Sequence, residues 1–404
     1  MIKQQRSIGV CSIPTSDPGD NRAQMALEII FWISIALIVY AHIGYPLCLW
    51  LIDQARGGSD PSGSAPAAPT QFQPRISLIV AAYDEEAVIA DKVSNALALD
   101  YPRELLQVIV TSDGSRDRTV EIARAAGADL VLDLPRGGKV AALNQAVAEA
   151  DGEILAFSDA NSMWRPDALR RLLKPFSDPK VGYVCGQVRF SGGEGGNQEG
   201  LYWRYEMAVR EMESNLAGIT AGNGGIYAVR RDAYVELHPS RGQDLSFPFE
   251  LTKRGWRPLY EPSAVAEELM APTVQGEFGR KRRMMWGVWD AMFGWGMLSP
   301  RGYSPLYYWE ILSHRLCRYL TPWLHLVALA TNIALLGSGL IYSLTFAAQV
   351  FLLLLALIGW QTGFRPGRLA FYYLMVTSSI AVGAYDRVRA GKVPIGWEKA
   401  EGTR

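Results

Sequence analysis

The chain has 404 residues, a formal charge of zero, 49% hydrophobic residues and 20% charged ones. That balance excludes a chain disordered by composition, and it leaves no basic or acidic excess that would recruit nucleic acid. The four cysteines and four histidines are scattered, which gives no zinc spacing and, for the cysteines, suggests a reducing compartment around the soluble part.

Residues 1–25 carry Pro, Gly, Asp and Ser without periodicity and are expected to be loose. Residues 26–52 are expected to form a membrane span: from Ile29 to Ile52 no side chain is formally charged, and that length exceeds the roughly 20 residues a bilayer core requires. The run is too long for a cleaved signal peptide. Residues 53–74, with Gly57, Gly58, Pro61, Gly63, Pro66 and Pro69, read as a linker.

Residues 75–300 read as a soluble domain large enough to bury its own core. Strands are expected at Ile76–Ala82, Leu105–Thr111, Asp129–Leu132 and Ile154–Phe157, alternating with helices at Glu86–Leu97, Asp117–Ala126 and Lys139–Ala150. Continuously apolar strands separated by helices imply an α/β unit with a parallel sheet covered on both faces, whose binding crevice lies at the C-terminal strand ends. Acidic residues fall there: Asp84 and Glu85 after the first strand, Asp113 after the second and Asp159 after the fourth. Asp84 or Asp117 alone would pass for a helix cap. Several carboxylates at one sheet edge repel one another and call for a cation, which points to a metal and phosphate site.

Further along, Val181–Phe190 reads as a strand, Ser191–Gly200 as a glycine-rich loop and Leu201–Asn215 as a helix. AGNGGIYAVR, within Ile219–Arg230, fits either a close approach of the backbone to some other group or a hairpin turn. Asp244 precedes a helix at Leu245–Arg254. Residues 301–318 are expected as an interfacial amphipathic helix, with Arg315 and Arg318 as its cations. Residues 319–390 hold two or three membrane segments, the last of which either crosses or lies at the interface, and 391–404 form a tail.

The stretches SLIVAAYDEE, VTSDGSRDRT, GGKVAALNQA, FSDANSMWRPDAL, VGYVCGQVRF, GNGGIYAVRR, GQDLSFPFELTKRGWRPLYEPSAVAEE and EFGRKRRM occur in this order. Together they resemble the membrane-embedded family 2 glycosyltransferases, which include cellulose, hyaluronan and poly-N-acetylglucosamine synthases and ceramide glucosyltransferases. The resemblance covers about residues 75–300. It implies a GT-A type nucleotide-sugar-binding domain, a Rossmann-like mixed sheet flanked by N- and C-terminal transmembrane helices of the inner (plasma) membrane. The domain is expected on the cytoplasmic side, because Arg56, Arg280, Arg282, Arg283, Arg315, Arg318, Arg365 and Arg368 then lie inside.

By the same resemblance, Tyr83, Glu85 and Asp113 bind the nucleotide of a UDP-sugar, and Lys139 lies near its base and diphosphate. Asp159 matches the first carboxylate of an Asp-X-Asp metal motif for Mg2+ or Mn2+, with Asn161 where the second Asp stands. Asp244 matches the catalytic carboxylate, beside Gln243. Arg283 matches the arginine of Gln-X-X-Arg-Trp, with Arg280 and Met284 in the Gln and Trp positions, and Lys281 is a further candidate for the diphosphate. An anionic-lipid contact is the alternative for this basic tetrad.

Asp244 as base and a metal-assisted leaving group imply direct displacement with inversion. The acceptor is a growing surface polysaccharide or, alternatively, one membrane lipid or polyprenyl-linked group. Membrane lipids and a homo-oligomer or separate export partner complete the expected partners. A non-catalytic scaffold with a transferase fold is the competing reading.

Overall fold

The computed structural model describes residues 18–57, 72–191, 198–269 and 274–391. The N-terminal helix α1 (Pro18–Val39) passes through a π turn at Tyr40–Gly44 into α2 (Tyr45–Ala55). It therefore runs three residues into the segment expected as linker. From Asn21 to Ala55 the helix is long and apolar enough to cross a membrane by length and composition.

The first half of the domain follows the expected alternation: β1 (Ile76–Ala82), α3 (Ile89–Leu97), β2 (Leu106–Asp113), α4 (Thr119–Ala125), β3 (Leu130–Leu134), α5 (Lys139–Glu149) and β4 (Ile154–Asp159). All the pairings among these four strands are parallel. Their apolar runs are continuous because both faces are covered. Ile76, Leu78, Val108 and Ala156 pack on one side, and Ile79, Ile109, Leu155 and Phe157 on the other. Full burial of a side chain such as Phe157 stabilises by about 1.5–3 kcal/mol relative to exposure.

The second half contributes β5 (Met163–Trp164), α6 (Ala168–Leu173), β6 (Val181–Ser191), α7 (Gln198–Leu216), β7 (Tyr227–Arg230), α8 (Gln243–Lys253) and β8 (Arg257–Leu269). The eight-stranded sheet has the order β3-β2-β1-β4-β7-β6-β8-β5. It is mixed: β7 is antiparallel to β4 and β6, β5 is antiparallel to β8, and β6 pairs with β8 in parallel through two register shifts. Those irregularities accommodate Pro258 and Pro262, which cannot donate to a ladder.

After α9 (Val274–Phe293) come α10 (Pro305–Glu310), a π segment at Ile311–Cys317, α11 (Arg318–Ala334), α12 (Leu340–Thr362) and α13 (Arg365–Ala390). Of these, α12 is long and apolar enough to cross a membrane by length and composition. It turns tightly onto α13, where Gly359 and Gly367 touch backbone to backbone and a methyl group on either would collide. The other end of α13 lies on α9, with Arg282 Nη2 donating to Asp386 Oδ1 at 2.8 Å and Arg387 Nη2 paired with Asp290 Oδ1 at 2.9 Å.

One expectation is overturned here. Arg315 and Arg318 do not face an interface as an amphipathic stripe would require; both are buried, because acidic groups on α7 draw them inward. Arg318 Nη1 meets Glu206 Oε1 at 2.5 Å, and Arg315 Nε donates to Thr220 Oγ1 at 2.9 Å.

Candidate functional site

The site opens where β1, β2 and β4 end together. Pairing of Ala82 with Ser112 and of Ala81 with Asp159 brings Tyr83, Asp113 and Asp159 to one sheet edge. Asp84, in a left-handed conformation (φ 50°), spends its Oδ1 on the Arg116 amide at 2.6 Å. Asp117 likewise receives the Thr119 and Glu86 amides. Both serve the local backbone as caps.

Asp113 and Glu85 are each 1% exposed. Asp113 Oδ1 accepts from the amides of Gly137 and Gly138 at 2.7 and 2.9 Å, which fixes the start of α5. Its other oxygen lies 3.2 Å from Arg136 Nη1. The Arg136 guanidinium in turn stacks on the Tyr83 ring, 3.4 Å from its centroid. Arg136 is the residue that sequence reasoning missed, although it stands one place before the GGK motif. Glu85 is enclosed at the end of β1, with its amide donating to Thr119 Oγ1 at 2.7 Å.

Across the edge, Lys139 reaches from the first turn of α5 to Asp159, Nζ on Oδ1. A methyl group on Gly224 would lie 3.1 Å from Lys139 Nζ, 3.2 Å from Asp159 Oδ2 and 3.5 Å from Gln243 Nε2. The AGNGG segment thus serves as the close approach, not as a hairpin turn. Asn223 pins it through Nδ2 to Gly186 O at 2.7 Å. The Gly222 amide donates to Asp244 O at 2.7 Å, which carries the first turn of α8 into the same cleft.

Asp244 Oδ1 accepts from the Leu245 amide at 3.0 Å. Burial pushes its carboxyl above the ordinary value, offset in part by that amide and by the charge of Lys139. Lys139, Asp159 and Asp244 are therefore brought together, with Tyr83 and Asp113 on the flank and Asn161 half-buried two residues beyond Asp159. The backbones of Arg280 and Arg283 lie in α9; their side chains are outside the described residues. Lys281 points its ammonium over the Tyr372 ring of α13, 5.7 Å from its centroid.

Behind the Asp159 loop, Lys92 is fully buried and donates to Ser162 O at 2.5 Å. Burial lowers its ammonium to about 7, against the pull of Asp159 and Glu268. Asn95 holds Trp164 through both its amide and its carbonyl. This layer makes the Asp159–Ser162 turn rigid. Asp159 and Asn161 offer hard oxygen donors of the type Mg2+ and Mn2+ prefer, and Lys139 already places a cation on that carboxylate, so the residues fit a divalent ion. Among the described residues no group of three or more His, Cys, Asp or Glu side chains forms a metal cluster.

Residues 77–237 match the family described as Glycosyl transferase family 2. That match runs from β1 to just short of α8, less than half of the chain, and the fold is GT-A. A poly-beta-1,6-N-acetyl-D-glucosamine synthase of Staphylococcus aureus is 28% identical over 223 residues, covering 52% of this chain and 53% of that protein. A beta-monoglucosyldiacylglycerol synthase of Nostoc is 30% identical over 269 residues, covering 62% and 56%. The chain spans about half the length of the curated relatives it matches. Among solved structures, a mannosyltransferase from Pyrobaculum calidifontis in complex with GDP-Man and Mn2+ aligns with a TM-score of 0.69 at 24% identity, over 90% of this chain and all of that one. At that identity the likeness is one of fold.

Proposed function

We propose that this protein is an inverting glycosyltransferase that moves a sugar from a UDP-sugar to a growing surface polysaccharide or glycan at the cytoplasmic face of a membrane. The observation that carries the reading is the convergence of Lys139, Asp159 and Asp244 on one cleft. Asp244 takes the proton of the incoming hydroxyl; its carboxylate is oriented by the Leu245 amide and made more basic by burial. Tyr83, Glu85 and Asp113, with Arg136 beside them, receive the nucleotide. Lys139 meets the diphosphate. Asp159 and Asn161 would hold Mg2+ or Mn2+, which supplies charge compensation for the departing diphosphate. By the family resemblance, Arg283, with Arg280 and Lys281 as further candidates, would meet the departing diphosphate as well.

A second reading, transfer of one sugar to a membrane lipid, is favoured by the longer match to the Nostoc glycolipid synthase and by Arg280 and Met284 standing where the synthase motif has Gln and Trp. Products formed in membranes from a radiolabelled UDP-sugar separate the two: a ladder supports the polymer, a single lipid-soluble product the glycolipid. No sugar transfer from any donor, with Mn2+ and lipid extract present, would sink both and leave the scaffold.

The membrane reading is three crossings, α1, α11 and α12. α11 leaves the domain, α12 returns, and α13 lies on the catalytic side, where its ion pairs with α9 hold it. This topology keeps Arg365, Arg368, Arg387 and Arg389 on one side with Arg282 and Arg315, as the positive-inside rule requires. In a cysteine-free background, a cysteine introduced at Gly391 should react with an impermeant maleimide only after the membrane is opened. One at Ser338 should react before.

A further inference from the structure

We propose that Lys139 is a resident surrogate for the divalent cation: without donor its ammonium neutralises Asp159, and the incoming metal and diphosphate together displace it. This rests on the reading of Asp159 as the metal carboxylate. The Lys139 and Asp159 side chains are only 17% and 24% exposed, so their attraction is screened far less than that of a surface pair. The Gly224 backbone closes over both, close enough that even a methyl group there would crowd Nζ and Oδ2. Two cations therefore compete for one carboxylate in a confined space.

A metal ion arriving alone must evict the ammonium, with Asp244 as the remaining carboxylate whose charge it feels. A diphosphate changes that balance, because its oxygens accept both the metal and Lys139. Asp159 and Asn161 offer only a few of the oxygens such an ion takes, and diphosphate oxygens would add to them. The consequence is thermodynamic coupling: metal and nucleotide each tighten the binding of the other by the same factor.

The test is Mn2+ binding to the full chain in detergent, followed by loss of the free Mn2+ paramagnetic signal, with and without UDP. For the natural sequence, UDP should tighten Mn2+ binding at least about tenfold, equivalent to about 1.4 kcal/mol. Lys139→Met should bind Mn2+ about tenfold more tightly than the natural protein when UDP is absent, and should show a smaller gain when UDP is added. Lys139→Gln is measured alongside, so that a folding failure of one variant leaves the other readable. Unchanged or weaker Mn2+ binding in the substituted protein without UDP overturns the proposal. Asp159→Asn separates the underlying reading: it should lose Mn2+ binding under both conditions, and if binding persists, the metal assignment itself fails.

Discussion

In the cleft, Lys139 lies on Asp159 and Arg136 on Asp113, with the two cations 17% and 36% exposed. Beside the anchor helix, Glu213 is 0% exposed and is bonded at once by Tyr45 Oη at 2.6 Å, His314 Nδ1 at 2.6 Å and Thr220 Oγ1 at 3.1 Å. Burial alone would raise the Glu206 and Glu213 carboxyls. The neighbouring Arg318, His314 and Arg315 more than offset it and hold both below the ordinary range. The two regions use similar pairs for opposite ends. A charge that must exchange partners keeps access to solvent and few bonds, whereas a charge that joins α2, α7 and the π segment is saturated and sealed. Glu310 stands apart: both its oxygens are buried without a side-chain partner, and burial with the nearby Glu213 pushes its carboxyl well up.

The contrast breaks most visibly at Asp244. Asp244→Asn should lower the transfer rate by about 10²- to 10⁴-fold while leaving UDP binding intact. Because burial raises this carboxyl, the folded state holds its proton more tightly than the unfolded chain. Stability from this group is full at low pH and falls as pH climbs through the folded value. Asp244→Asn should therefore raise the melting temperature at neutral pH and flatten its pH dependence; an unchanged rate would remove Asp244 as the base.

Glu213→Leu should do the reverse, costing up to about 3–5 kcal/mol by removing one of the two carboxylates, Glu206 being the other, that face His314 and Arg315. Thermal melting in detergent reads this, and unchanged melting would show that the sealed network is not structural. Gly224→Ala crowds the exchangeable pair and should slow transfer by about ten- to a hundredfold with little change in melting. Arg136→Ala removes the Tyr83 stack, worth about 0.5–2 kcal/mol, and should weaken UDP binding by the corresponding roughly two- to thirtyfold. The smallest effect is expected at α13: Asp386→Asn breaks an ion pair at the protein surface and should cost about 0–1 kcal/mol. A larger loss of activity there would mean that α13 controls α9.

What the sequence disclosed follows from local physics. Apolar runs ending on Asp113 and Asp159 announce buried parallel strands with charged tips, and β1 falls where Ile76–Ala82 was expected. β8 stayed hidden because Pro258, Pro262 and Glu261 interrupt the apolar pattern, and only pairing with β6 makes it a strand. Arg136 reads as any loop cation until Tyr83 lies beneath it. The Glu213 network was illegible for a different reason: its partners lie 101 and 168 residues away, and a Glu on α7 looks like a solvated helix face. Both histidines of the apolar segments meet Tyr373 of α13: His325 bonds its Oη at 2.7 Å, and His42, hydrogen-bonded within its own helix, packs edge-on against its ring.

The anchor helix runs unbroken from Asn21 to Ala55 and is fastened to α7 by Tyr45 and by Tyr205, whose hydroxyl donates to His42 O at 3.0 Å. On the proposed membrane reading, a domain so fastened would keep its cleft at a constant height above the bilayer. An acceptor carried by the membrane would then find Asp244 by lateral diffusion in two dimensions, while the donor arrives from three. Acceptor supply would be governed by its surface density among the lipids, not by any bulk concentration.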